Sequence, residues 1–167
     1  MQPHTLQSLI RNPVHFLAFG LGSGLVRPAP GTWGTALGAL LYIPLTALSP
    51  SPWFIALFLL IAFAAGCYLC GKTARDLGVH DFGGIVWDEF VGIWLTLALI
   101  PPALFTRSPL VGYAAAFIAF RLFDILKPPP IRALDRRIPG GFGIMIDDVL
   151  AALFAAASLW LVALIFF

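Results

Sequence analysis

The sequence predicts an all-α integral membrane protein, with about five transmembrane helices and a short N-terminal interfacial or re-entrant segment. Three observations predict it. Hydrophobic residues make up 60% of the chain and charged residues 11%, against roughly 25% charge in an ordinary soluble domain. The mean hydropathy is +0.94. The apolar residues also fall into long runs separated by proline, glycine and clustered charge, the pattern of spans and their connections. At this length a single membrane-embedded domain over residues 1–167 is expected. A net charge of +2, with no basic run interleaved with aromatics, argues against nucleic acid and leaves lipid as the partner class. No removable signal peptide is expected, so internal helices direct insertion.

Residues 1–13 are polar, with Arg11 and Pro13, and are expected to form an interfacial or loosely ordered start. The run Val14 to Val26 is apolar but interrupted by Gly20, Gly22 and Gly24, and it falls short of the roughly 17–25 residues of a spanning helix. It reads as interfacial or re-entrant, tolerable where protein or water satisfies its backbone. His15 within it reads as an interfacial side chain. The turn Arg27-Pro-Ala-Pro-Gly-Thr32 places Thr32 as N-cap of a first span, Trp33 to Leu48. Ser49 to Pro52 leads to a second span, Trp53 to Gly71, in which Cys67 and Cys70 share a helix face as small apolar residues. A polar loop through His80-Asp81 and Asp88-Glu89 precedes a third span from Phe90 to Pro101-Pro102, where proline ends the helix. The fourth runs from Pro109 to Leu126 and stops at Pro128-Pro-Pro130; the fifth runs from about Val149 to Phe167. Small residues such as Gly34, Gly38 and Ala39 suit close helix contact, between copies or within one chain.

Orientation follows from Lys and Arg. With the N-terminus in the cytoplasm, Arg11, Arg27, Lys72, Arg75, Lys127, Arg132, Arg136 and Arg137 lie inside and Arg107 outside, as the positive-inside rule requires. The acidic residues then gather on the cytoplasmic side as well.

That gathering carries the chemistry. Residues 121–148 hold four of the eight acidic residues, Asp124, Asp135, Asp147 and Asp148, between two apolar segments. With Asp88 and Glu89 they place carboxylates at three helix ends facing one compartment. Acids at a helix start can simply complement the dipole. Asp124 stands near a helix C-terminus inside an apolar run, where an ionisable group is costly and usually functional. Arg121, Asp124 and Lys127 are three apart and share a face, so a neutralising ladder is the alternative. Neighbours on a helix point about 100° apart, so one member of each doublet is expected to address a common point. An all-oxygen set of Asp88, Glu89, Asp124, Asp147 and Asp148 suits Mg²⁺ rather than zinc. Arg27, Thr32, Lys127, Arg132 and Arg136 would hold a phosphate, and His80-Asp81 is a possible proton-transfer pair.

The segments Phe19-Gly-Leu-Gly-Ser-Gly-Leu25, Pro30-Gly-Thr32, Gly78-Val-His-Asp81, Ile85-Val-Trp-Asp-Glu-Phe90, Phe120-Arg-Leu-Phe-Asp-Ile-Leu-Lys-Pro128, Pro130-Ile-Arg132, Asp135-Arg136 and Gly143-Ile-Met-Ile-Asp-Asp148 carry a likeness over nearly the whole chain. The sequence resembles the phosphatidylglycerophosphatase A family of bacterial membrane lipid phosphatases. The resemblance implies removal of the terminal phosphate of phosphatidylglycerophosphate, Mg²⁺ dependence, and a multi-pass place in the bacterial inner membrane with the active site facing the cytoplasm. Asp88, Asp124 and Asp148 are then the expected catalytic carboxylates. The rival mechanism makes an aspartate the nucleophile. The rival function is a transporter or channel conducting a cation along the acidic cluster.

Overall fold

The computed structural model describes residues 11–166 apart from His80, Asp81 and Arg136. The described residues are helical wherever they are regular, with no strand among them. Among the described residues, four helices are long and apolar enough to cross a membrane. These are α2 (Pro30–Leu48), α3 (Pro52–Leu77), α6 (Pro109–Leu126) and α8 (Gly140–Phe166). Their outer faces carry exposed Trp53, Leu60, Leu110, Ile118 and Leu164, a surface suited to lipid.

The chain enters through α1 (Pro13–Ala18), whose first turn is held by Asn12 Oδ1 accepting from the Val14 N–H at 3.0 Å. A 3-10 stretch over Gly20–Leu25 follows, broken at Leu21 and Gly22 where φ turns positive. This segment, read as interfacial or re-entrant, is not among the described helices long and apolar enough to span. It dips against α2 and α3, burying His15, Ala18 and Phe19, and the carbonyl of Ala18 accepts the Val86 N–H at 2.9 Å. The backbone is thus satisfied by protein, the condition for irregular chain at membrane depth. His15 is no interfacial side chain: its Nδ1 lies 2.9 Å from Thr73 Oγ1 and its Nε2 3.4 Å from Asp76 Oδ2.

Three helix starts or ends differ from the sequence reading. Helix α2 begins at Pro30, with Ala29 in the left-handed region and no side-chain cap, so Thr32 is a first-turn residue rather than the N-cap. Proline at the first position has no N–H to satisfy and a φ already suited to the helix. Helix α3 continues two turns beyond Gly71, supported by the Lys72–Asp76 pair at 2.6 Å, and closes at Gly78 with φ 69. Helix α8 starts at Gly140, nine residues before Val149, so Asp147 and Asp148 lie about two turns inside it. They cannot be helix caps.

The expected third span is the shortest. Helix α4 (Trp87–Leu99) has 13 residues, roughly 20 Å at 1.5 Å per residue, and is followed after Pro101-Pro102 by the single-turn-scale α5 (Ala103–Arg107). It packs against α2, α3, α6 and α8 and is buried along most of its length. Its tryptophans are satisfied inside the bundle: Trp87 Nε1 donates to the Ala62 carbonyl at 3.0 Å and Trp94 Nε1 to the Gly38 carbonyl at 2.7 Å. Phe90, Phe120 and Met145 fill the space around it. A short α7 (Ile131–Asp135) joins α6 to α8.

Glycine sets how closely the ends of α3 and α8 meet. A Cβ on Gly141 would overlap the Cys67 carbonyl and crowd the Gly71 backbone. Cys70 is buried there against Met145, 3.9 Å between sulfurs. The starts of α2, α4 and α8 and the ends of α3 and α6 therefore converge, and the charged side chains collect at that end.

Candidate active site

Helix α4 presents Asp88 and Glu89 from its first turn, and α8 presents Asp148 from its third. One carboxylate oxygen from each of the three lies within 4.8 Å of the others. Glu89 is long enough to reach the point its neighbour addresses, so both members of this doublet join the cluster, contrary to the expectation of one. The other doublet divides as expected: Asp148 faces the cluster, while Asp147 Oδ2 lies 2.5 Å from Lys127 Nζ. Lys127 adopts a left-handed conformation just past the end of α6, and its side chain reaches Asp147 on α8.

Arg121 is the cation of the cluster. Its Nη1 lies 2.5 Å from Asp124 Oδ2, 3.6 Å from Glu89 Oε1 and 3.5 Å from Thr35 Oγ1. Thr35 in turn donates to the Gly31 carbonyl at 2.8 Å. Gly31 is glycine for a steric reason: a Cβ there would collide with Glu89 Oε1 and press on the Arg121 guanidinium. Asp124 also lies beside Asp148. Of the expected ladder the Arg121–Asp124 rung forms.

The electrostatics are unbalanced. Asp147 and Asp148 are buried, and Glu89 Oε2, Asp148 Oδ2 and Arg121 Nε are buried atoms with no hydrogen-bond partner among the described residues. Buried carboxylate oxygens left in this state cost several kcal/mol unless a cation or donor completes them. The donor set is all oxygen, which suits a hard divalent cation such as Mg²⁺. The three oxygens lie within 4.8 Å of one another, whereas two ligands on one ion with bonds of roughly 2.1 Å are at most about 4.2 Å apart, so small side-chain adjustments would bring them onto a single ion. The residues fit such an ion.

The other expected site residues lie around this centre. Arg27 and Pro30 line a cavity of about 610 Å³ beside the start of α2, and Thr32 is half-buried in the first turn of that helix. Arg132 is exposed and donates to the Leu126 carbonyl at 3.2 Å, closing the end of α6. Arg136, His80 and Asp81 lie outside the described residues. The sequence reading did not single out Thr35 or Gly31, and it placed Arg121 only in a ladder. The signal for Arg121 was present, since an arginine within an apolar helix is as costly as the aspartate beside it.

A sequence profile of phosphatidylglycerophosphatase A matches residues 16–163, which takes in every residue of this centre. The chain belongs to the phosphatidylglycerophosphatase A family. Two relatives bearing that name are similar along most of their length. The protein of Haemophilus influenzae is 54% identical over 144 residues, 86% of this chain and 85% of the relative. That of Escherichia coli is 43% identical over 152 residues, 90% of this chain and 84% of the relative. A third family relative, from Bacteroides thetaiotaomicron, is 34% identical over 151 residues, 86% of this chain and 91% of its own, and is provisionally named a phosphatidylinositol-3-phosphatase. No solved structure matches the chain.

Proposed function

We propose that the chain hydrolyses the terminal phosphomonoester of phosphatidylglycerophosphate, giving phosphatidylglycerol and inorganic phosphate, with Mg²⁺ as cofactor. The observation that carries this reading is the set of Asp88, Glu89 and Asp148, three carboxylates within 4.8 Å at one end of an apolar bundle, with buried oxygens left over. Family membership supplies the substrate class. The lipid named for the Bacteroides relative also pairs a phosphodiester with a phosphomonoester on a polyol, so the chemistry is shared even where the headgroup differs.

Asp88, Glu89 and Asp148 would hold the metal. A divalent ion so held supplies Lewis-acid polarisation of the phosphoryl group and a template for the attacking water. Around it, Arg121 is fixed by Asp124 and leans toward Glu89, where it counters charge spreading over the phosphoryl oxygens. Lys127, anchored by Asp147, adds a second positive charge on the same side. Water attacks phosphorus, the bond from phosphorus to the glycerol oxygen breaks, and the water's proton ends on the products, leaving a free hydroxyl on glycerol. The acyl chains stay against the apolar helix faces.

The site end carries Arg27, Lys72, Arg75, Lys127 and Arg132, whereas Arg107 lies at the opposite end in α5. That asymmetry supports an inner-membrane placement with the site on the cytoplasmic face. A cation path across the membrane gains no support, because the carboxylates lie at one end of the bundle rather than along it.

The test is phosphate release by detergent-purified protein from phosphatidylglycerophosphate, with Mg²⁺ or excess EDTA, and with phosphatidic acid as competitor. Mg²⁺-dependent release favouring the first lipid is the expected result. No release by folded protein under either condition would remove the reading.

A further inference from the structure

Beside the carboxylate centre lies a cavity of about 610 Å³ walled by Gly24, Leu25, Arg27, Pro30, Phe82 and Gly84. We infer that this cavity is a second anion subsite, in which Arg27 binds the phosphodiester of the lipid while the carboxylate centre takes the terminal phosphomonoester. The inference rests on the phosphatase reading and adds a residue that decides specificity.

Three observations carry it. The first is charge. The Arg27 guanidinium is exposed at the cavity and makes no hydrogen bond or ion pair with any described residue, in contrast to Arg121 and Lys127, which are engaged by carboxylates. The other described lining residues contribute apolar side chains, proline and backbone, with no acid among these described residues to compete for the cation.

The second is rigidity. Both sides of the cavity are tied down. Trp33 Nε1 donates to the Pro28 carbonyl at 3.1 Å and pins the turn that carries Arg27. On the other side, the Ile85 N–H donates to the Phe82 carbonyl at 2.7 Å, and the Val86 N–H to the Ala18 carbonyl at 2.9 Å. Gly24 and Gly84 meet backbone to backbone, since a Cβ on Gly24 would overlap the Gly84 carbonyl. The cavity is preformed, so a ligand would lose little to ordering it.

The third is position. Pro30 is in the cavity wall, and the next residue, Gly31, lies against Glu89 and Arg121. The wall of the cavity and the edge of the carboxylate centre are therefore formed by consecutive residues of one turn. In phosphatidylglycerophosphate only a glycerol unit separates the diester from the monoester, so one molecule can address both. Phosphatidic acid has a monoester and no such diester, and would leave Arg27 unused.

The experiment measures binding by calorimetry in maltoside micelles, using dihexanoyl phosphatidylglycerol, which has the diester and no monoester, and inorganic phosphate. Dihexanoylglycerol corrects for micelle partitioning. Wild type, Arg27→Gln and Arg27→Lys are compared. The expected result is a rise of roughly tenfold or more in the Kd of the diester lipid for Arg27→Gln, as loss of a charged hydrogen bond implies. Arg27→Lys should be intermediate, with the inorganic phosphate Kd unchanged in both. Equal weakening of both ligands would assign Arg27 to the reacting phosphate, and no change in either, or no diester binding by wild type, would empty the cavity of this role. Turnover of phosphatidylglycerophosphate by wild type is followed in parallel. Its absence alongside Arg27-dependent diester binding would sink the phosphatase reading and leave the subsite standing.

Discussion

Asp147 and Asp148 are neighbours in α8 but serve different partners: Asp147 is engaged by Lys127, while Asp148 joins Asp88 and Glu89. Two substitutions at adjacent positions should therefore fail in different ways. Asp148→Asn should lower kcat by roughly 100- to 1,000-fold, the scale of losing one preorganised electrostatic group. Its metal-free stability should hold or rise, because one of several crowded negative charges is gone. Asp147→Asn should lose less activity and more stability, since Lys127 keeps its charge where a buried pair has been broken. Kinetics and thermal unfolding of the two purified variants check this division.

Lys127 and Asp147 should show strong coupling. Lys127→Met alone is expected to destabilise the protein by about 3–5 kcal/mol, the cost of a buried charge stripped of its partner. Adding Asp147→Asn should recover part of that loss. A double-mutant cycle in unfolding experiments reads the coupling, and additive effects would show that the pair contributes nothing to the fold.

Arg121 spans two carboxylates and a hydroxyl, which a lysine cannot do. Arg121→Lys should reduce kcat roughly 100-fold or more, because a point charge cannot hold Asp124 and still reach Glu89. Recovery of near wild-type rate by lysine would mean that only its charge matters.

Gly31→Ala should cost activity out of proportion to its size. The added methyl meets Glu89 and Arg121 rather than empty space. In a helix interior the same change would stabilise by up to about 1 kcal/mol. A lowered kcat in a variant that still inserts and unfolds cooperatively is expected; an unaltered rate would show that the two side chains move aside freely.

The N-terminal segment is docked through His15. His15→Phe removes the contact to Thr73 and the approach to Asp76, and should destabilise the protein by about 1–3 kcal/mol. Denaturant unfolding and protease sensitivity of the first 26 residues read this directly.

Much of the architecture was legible because its signals are local. Helix α6 was read from Pro109 to Leu126, a run bounded by Ser108 and by the prolines after Lys127. Length and glycine content pointed to an interfacial or re-entrant segment at residues 14–26 without deciding between spanning and lying at the interface. The start of α8 was not legible. Gly140, Gly141 and Gly143 are weak helix formers, and Asp147 and Asp148 look like a polar boundary. What makes these residues helical is the packing of Gly141 on Cys67 and Gly71, a contact 70 or more residues away in the chain. The extension of α3 was encoded in Lys72, Asp76 and Gly78, a pair and a stop signal that the charge around them disguised.

The candidate site divides the same way. That the acids gather at one end was visible from their placement at helix ends. Which of them meet was not, because it depends on side-chain length and on the turn after α6. Glu89 reaches the centre where a shorter acid would fall away, and the turn at Lys127 brings that lysine to Asp147.

The most direct test is a Mg²⁺ titration of phosphate release from phosphatidylglycerophosphate by wild type and Asp148→Asn, measured side by side. If the carboxylate centre is the catalytic metal site, wild-type activity rises to saturation with Mg²⁺ and is abolished by EDTA, while the variant stays at least roughly 100-fold slower at every concentration. Undiminished release in EDTA, or a variant as fast as wild type, would contradict it.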